Sequence, residues 1–328
     1  MRRLRAAACA WVLGTVVLVG AGMPSRAADS SPADALLDRA RAAVSTHEFS
    51  GVVRISWRNA SGQHWERVAV RAVDGGLRIA GGDLVEEGGR AWLRTQTRWE
   101  TLWSGTRASG APNVGLKYTV RVDPSGPTIA SRPTKVLTIE RSGHVVERYA
   151  FDRESGLVLR RERFDDDGRS SASMTFVRLG PIRAASGTLK TPPVDKSAPR
   201  PMARPPSDAH RRVGDGFVLV GAQRVGAETQ LLYSDGVFNA SVFTREGAID
   251  WSSLPAGGDN VRMGGTKVRR YRTAGGTVLT WESGDNTFSC VTDASDGDQR
   301  AILATVGGGD DGGWTDAVRF VTSPFSWF

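Results

Sequence analysis

The sequence is poor in the residues that most often carry chemistry: 328 residues hold two cysteines, Cys9 and Cys290, and four histidines, His47, His64, His144 and His210. The histidines lie at spacings that no zinc site uses. No HExxH, CxxC or paired-cysteine pattern occurs, so neither a metal nor a cofactor is expected. A Ser-His-Asp site would need one of these histidines, and none stands near a nucleophile-elbow signature, so no catalytic residue is nominated. The acidic run Asp165-Asp166-Asp167-Gly168 lacks the alternating ligands and closing Glu of a calcium loop and reads as a hairpin turn, and Asp293 to Asp298 lacks them too. The glycine runs at Gly75 and Gly307 lack the strand–loop–helix context of a phosphate cradle. After the first 22 residues no stretch reaches the ~18 consecutive apolar residues of a membrane span.

What is present first is a leader. Arg2, Arg3 and Arg5 precede an uncharged, Val/Leu/Ala-rich stretch from Ala6 to Gly22, and Ser25-Arg26-Ala27 offers small residues where a signal peptidase reads, so cleavage is expected after Ala27. The full chain carries 43 Lys+Arg against 35 Asp+Glu, a net charge of +8. Loss of the four leader arginines leaves 39 basic against 35 acidic residues, about +4, which removes the main support for a nucleic-acid partner. Cys9 leaves with the leader. Cys290, within Phe288-Ser289-Cys290-Val291, then stands alone and reads as a buried strand position.

Ser31-Pro32-Ala33-Asp34 is a helix start, with a capping hydroxyl, a first-turn proline and an early carboxylate. The helix should run to about Ser45 with Leu36, Leu37, Ala40, Ala43 and Val44 on one face. From Phe49 to about Leu179 the period changes to two, with Val53, Ile55 and Trp57 on one face of the first of about ten strands. Turns such as Asn59-Ala60-Ser61-Gly62, Ser142-Gly143 and Glu154-Ser155-Gly156 supply the residues that tolerate positive φ. So much sheet with one helix predicts a mainly β fold, a curled sheet or partly closed antiparallel barrel with the helix in or over its concavity. Residues 184–210 carry Pro192, Pro193, Pro199, Pro201, Pro205 and Pro206 with almost no large apolar residue and read as a Pro-rich linker. A smaller β-rich domain follows over 211–306, with strands near 216–220, 228–233, 237–243, 267–271 and 276–281 and a short helix near 297–306 capped by Asp296. Residues 307–328 are a Gly-rich loop and an aromatic tail without an assigned place.

Phe49-Ser50-Gly51-Val52-Val53-Arg54-Ile55 after an early helix, then Glu147 to Arg160 (ERYAFDRESGLVLR) and Phe164-Asp165-Asp166-Asp167-Gly168-Arg169, resemble the first domain of MucB/RseB proteins. Leu231 to Phe243 (LLYSDGVFNASVF), shortly after Gly216-Phe217, resembles the start of their second domain. The resemblance covers most of residues 33–305 in order. It implies a first domain, 28–183, similar to the LolA/LolB lipoprotein carriers. It further implies an exported protein, periplasmic or on the outer face of the cytoplasmic membrane, that regulates an envelope stress response. Such a protein binds the extracytoplasmic segment of a membrane anti-sigma factor, protects it from proteolysis and is released by a lipid-type ligand. A carrier of lipid or lipoprotein acyl chains is the alternative, and homo-oligomerisation stays open. The chain departs from the family at Thr292-Asp293-Ala294-Ser295-Asp296, where a Pro-containing segment is usual, and in about twenty added residues at its end. Its Ala/Arg/Gly-rich composition is similar to that of a high-GC actinobacterial relative.

Two candidate sites follow. Val53, Ile55, Trp57, Trp65, Leu77, Ile79, Trp92 and Trp99 would line an acyl pocket, each buried methylene contributing about 0.8 kcal/mol, with an ordinary core as the competing reading. Tyr233, Ser234, Asp235, Val242 and Phe243 would offer an edge or an aromatic anchor to a partner peptide, with packing as the competing reading. Expressed in an export-competent host, the mature protein is expected to begin at Ala28; N-terminal sequencing that returns Met1 would show an uncleaved leader.

Overall fold

The computed structural model describes residues 32–73, 76–79, 82–87, 90–94, 99–104, 117–187, 200–207, 209–225, 228–273 and 275–307. The expected leader, residues 188–199 of the proline-rich stretch and the aromatic tail lie outside them. Helix α1 (Pro32–Thr46) is followed by β1 (His47–Asn59), β2 (Gly62–Val73), β3 (Gly76–Ile79), β4 (Gly82–Glu87), β5 (Arg90–Arg94) and β6 (Trp99–Ser104). Then come β7 (Thr119–Asp123), β8 (Thr134–Arg141), β9 (His144–Asp152), β10 (Val158–Phe164), β11 (Ser170–Leu179) and β12 (Arg183–Ala184). The second half holds β13 (Arg200–Pro201), β14 (Arg212–Val213), β15 (Phe217–Val225), β16 (Glu228–Ser234), β17 (Asn239–Glu246), β18 (Asp259–Met263), β19 (Thr266–Thr273), β20 (Gly276–Ser283), β21 (Asn286–Thr292) and α2 (Asp296–Gly307).

The strands make two antiparallel sheets. The first, of 12 strands, runs β6-β5-β4-β3-β2-β1-β11-β10-β9-β8-β7 with β12 beside β1; the second, of 9, runs β13-β15-β16-β17-β21-β20-β19-β18 with β14 beside β15. Helix α1 touches β1, β3 and β7. Seven strand spacings of about 4.8 Å separate β3 from β7, roughly 34 Å if the sheet were flat, more than the ~22 Å length of a 15-residue helix. The sheet therefore curls around the helix as an open half-barrel, the mainly β fold that the strand pattern predicts. Leu37 and Ala43 of α1 are buried in its concavity with Val53, Ile55, Val68, Val70, Leu137, Phe151, Leu159 and Phe176, while Ala33, Leu36 and Ala40 are partly covered.

Close approach explains one glycine. A Cβ on Gly51 would stand 2.6 Å from the Arg178 carbonyl oxygen and 2.9 Å from the Phe176 ring, beside the irregularity where β1 meets β11. A second contact fixes α1: the stem of Arg39 lies 2.6 Å from where a Gly156 Cβ would be, at φ +77°, and the Arg39 guanidinium donates to the Glu154 carbonyl. Asp152 holds that turn, accepting from Arg132 Nε at 2.8 Å and from the Ser155 amide at 2.9 Å and hydroxyl at 2.6 Å. Burial raises the Asp152 pKa, but Arg132 and Ser155 outweigh it and hold the carboxyl below its ordinary value.

Some local expectations are revised. The proline-rich stretch carries two short pairings, β12 with His47 and Glu48 at its start and β13 with Arg224 and Gln223 within it. The Ser295 hydroxyl, not Asp296, caps α2: it accepts from the Asp298 amide at 3.2 Å and donates to the Asp298 carboxylate at 2.9 Å. Strands β4 and β18 carry too few large apolar residues for alternation to reveal them. Cys290 is fully buried in β21, and burial pushes its thiol up to about 12.

At the start of β16, burial outweighs the attraction of Arg245 and pushes the Glu228 carboxyl from 4.5 up to about 7. A carboxyl raised on folding costs stability as pH rises from its unfolded value through its folded one. Glu228→Gln is thus expected to match the parent in urea unfolding near about pH 4 and to exceed it near about pH 8. Parallel stability curves for the two proteins would refute this.

Candidate functional site

The register of the first sheet places two rows of side chains across its concave face. One runs Trp57, Ala172, Arg163, Glu147, Ile139, Val120; the next runs Ile55, Met174, Arg161, Tyr149, Leu137, Val122. A charged patch therefore interrupts an apolar surface. Glu147 is fully buried, and Arg161 is 5% exposed. Arg161 Nε donates to Glu147 at 2.7 Å, its Nη2 donates to the same oxygen, and the Tyr149 hydroxyl donates to the other. Desolvation opposes the Arg161 charge, but Glu147 outweighs it and the pKa rises.

The second domain covers this patch. Asp293, between β21 and α2, stands 3.4 Å from Arg161 and 3.5 Å from Arg163, and its other oxygen accepts from the Asn239 amide at 2.8 Å. Asp298, in the first turn of α2, takes both its oxygens to Arg141 Nη1, at 2.8 and 2.7 Å, where the positive helix end favours a carboxylate. Asp235, in the turn from β16 to β17, is the third anchor. One oxygen accepts from the Val237 and Phe238 amides at 3.0 and 2.8 Å; the other accepts from Lys117 Nζ at 2.7 Å and the Tyr118 hydroxyl at 2.5 Å. Desolvation, then Asp235, raises the Tyr118 pKa, which keeps the donor protonated. Around these charges the Tyr118 ring meets Phe238 edge-on with centroids 6.2 Å apart, and Lys117 Nζ lies 5.0 Å from the Phe217 centroid.

Four cations of the first domain, Lys117, Arg141, Arg161 and Arg163, thus face three aspartates of the second beside one continuous apolar core. Charges taken from water this far need good partners, because an unpaired one costs several kcal/mol. The arrangement can hold two domains in one fixed orientation and close one end of the half-barrel, while α1 fills the rest. Among the described residues no cluster of His, Cys, Asp and Glu could hold a metal ion, and no helix is long and apolar enough to cross a membrane.

The nominated pocket residues divide. Val53, Ile55 and Leu77 are buried in the core with α1, and Trp57 is half-buried, stacked on His64 with centroids 5.5 Å apart. Trp65 is a correction: it alternates away from Val68 and Val70 to the convex face and is 57% exposed. The side chains of Ile79, Trp92 and Trp99 lie outside the described residues.

The nominated peptide edge is corrected too. Strands β16 and β17 have neighbours on both sides, so neither offers unpaired backbone. Tyr233 and Val242 are core, Phe243 is half-buried, and the Tyr233 hydroxyl is spent on the His210 carbonyl at 3.1 Å. Ser234 holds its own turn, and what Asp235 holds is the first domain of the same chain. The sequence reading missed Lys117, Arg141, Arg161 and Asp293; the available signal was charge at inward positions, Glu147 in HVVERYAFD and Arg161 in VLRRERF.

The fold and junction define a two-domain, mainly β protein whose curled sheet is plugged by its own helix and its own second domain. The solved structures it is similar to include the MucA/MucB complex of Pseudomonas aeruginosa, at 18% identity and TM-score 0.45 over 83% of this chain and 97% of that one. Similar too are MucB alone, at 17% identity and TM-score 0.45 over 84% and 97%, and a LolA superfamily protein of Nitrosomonas europaea, at 9% identity and TM-score 0.20 over 81% and 93%. No family model and no curated protein matches the chain.

Asp235→Ala leaves Tyr118 and two turn amides without their acceptor and takes from Lys117 its nearest carboxylate. It is expected to lower stability by about 3–5 kcal/mol in urea unfolding and to increase proteolysis between the domains. A loss below about 1 kcal/mol would show that the junction does not depend on this carboxylate.

Proposed function

We propose that the protein is an exported two-domain binding protein, not an enzyme, that holds the extracytoplasmic segment of a membrane anti-sigma factor and shields it from proteolysis. One observation carries the reading. The segments whose residues resemble MucB/RseB proteins reach the junction from both sides: Glu147 and Tyr149 of the first hold Arg161 in place, and Asp235 of the second takes Lys117 and Tyr118. The resemblance therefore touches the junction as well as generic strand patterns, while Asp293, which completes it, stands where the chain departs from the family.

The finer parts of the proposal are release by a lipid-type ligand and the identity of the bound segment. A curled sheet whose concave wall is apolar, with Val53, Ile55 and Leu137 at 0–1% exposure, supports an acyl-binding step. An acyl chain would have to displace α1 or part of the junction to reach that wall, so binding and domain arrangement are coupled. Carriage of lipid or lipoprotein is the second reading, favoured by the same apolar wall.

Tagged mature protein used as bait in detergent-solubilised envelope, with mass spectrometry of proteins and lipids in the eluate, separates the two. Recovery of a single-pass protein with a small cytoplasmic sigma-binding domain is expected. Stoichiometric lipid or lipoprotein without such a partner would replace the regulator with the carrier.

A further inference from the structure

The convex face of the first sheet is predominantly basic where β1, β2 and β11 meet. Outward positions of β1, β2 and β11 hold Arg54, Arg58, Arg67, Arg71 and Arg178, all exposed, together with Trp65. Among the described residues none of the five arginines has a carboxylate within ion-pair distance. Glu48 is the acidic residue at an outward position of these strands, and it accepts instead from the Ser186 amide at 3.1 Å and hydroxyl at 2.9 Å. Glu66 of β2 alternates to the other face. On β10 the next carboxylate, Glu162, stands opposite Arg148.

Trp65 sits amid this charge. The Arg54 guanidinium lies 5.4 Å from its ring centroid and that of Arg67 5.8 Å, and Arg54 and Arg67 are register partners across β1 and β2. Val177 of β11, 43% exposed, adds a second apolar side chain to the face. A ring with an apolar body and a polar N–H, flanked by guanidinium groups, is the side-chain set that settles at a membrane–water interface.

We infer that this convex face is a docking surface for an anionic lipid bilayer. Charge complementarity with acidic headgroups is the primary argument. Backbone pairing is the second: β1 and β2 are hydrogen-bonded on both sides and β11 lies between β1 and β10, so the face has no free strand edge on which an extended acidic peptide could add. The face is also opposite the concavity, so lying on a bilayer leaves the junction and the helix side turned away from it. The inference does not depend on which partner the junction serves.

The test is co-sedimentation of the mature protein with vesicles of phosphatidylcholine alone or containing one-third phosphatidylglycerol. Binding is expected only to the anionic vesicles and should fall steeply as salt is raised. Each surface arginine contributes about 1 kcal/mol, so Arg54→Ala with Arg67→Ala should weaken binding about 30-fold. Trp65→Ala should weaken the part that survives in high salt. Arg211→Ala with Arg262→Ala, which removes the same charge from exposed positions of the second domain, should bind as the parent does. All these side chains are exposed, so unchanged melting temperatures confirm intact folding. Equal loss in both double variants would show net charge alone at work, and binding to polyglutamate or to DNA without vesicle binding would name a different partner; either result overturns the inference.

Discussion

The structure depends on a charged patch buried in an apolar face. Arg161 and Glu147 point into the concavity of the half-barrel, where each would be costly without partners, and they satisfy one another only in part. Asp293 arrives from the second domain to complete the set, and Asp298 and Asp235 do the same for Arg141 and Lys117 nearby. A hydrophobic interface of the same area would be at least as stable, but it would tolerate sliding. Three carboxylates with defined donors fix one orientation.

The same logic explains why the aspartates are rigidly built. Asp235 is held by two amides of its own turn, Asp293 by the Asn239 amide and Asp298 by Ser295 and the start of α2. Each carboxylate is positioned within its own domain before it meets its cation, so little side-chain entropy is lost on docking. Lys117 is the long flexible member and takes the most varied contacts, reaching Asp235, Asp298 at 3.5 Å and the Asp215 carbonyl at 2.6 Å.

Much of the architecture was legible because alternation and turns are local. The β8 to β11 meander follows the period-two pattern, and its turns hold positive-φ residues at Ser142, Gly143, Gly156 and Gly168. The helix and the buried face that carries Leu36, Leu37, Ala40 and Ala43 were readable for the same reason. The junction was not, because it depends on register between strands far apart in sequence: that Glu147 faces Arg161, and both face Asp293, is set by hairpin bulges and by how the domains dock. Trp65 was misassigned because aromatic content says nothing about face; counted in twos from Val68 and Val70, it falls outside. Asp235 was nominated with its neighbours as part of a peptide edge, but a turn at a domain boundary can be as buried as a strand.

Coupling between the concavity and the junction follows from shared parts. Helix α1 is anchored through Arg39 to the turn that Asp152 holds, at the end of β9. Strand β9 also carries Glu147 and Tyr149 into the junction. A ligand that lifted α1 to enter the concavity would disturb β9 and, through it, the aspartate contacts. To move such an equilibrium from 1:99 to 99:1 the ligand must favour the opened state by about 5.5 kcal/mol. At about 0.8 kcal/mol per buried methylene, roughly seven methylenes suffice, well within the length of one acyl chain. On the proposed lipid step, a half-barrel plugged by a small amphipathic helix would therefore be closed by default and opened by a single acyl chain. Reclosure needs only that the helix, covalently attached and always at hand, returns.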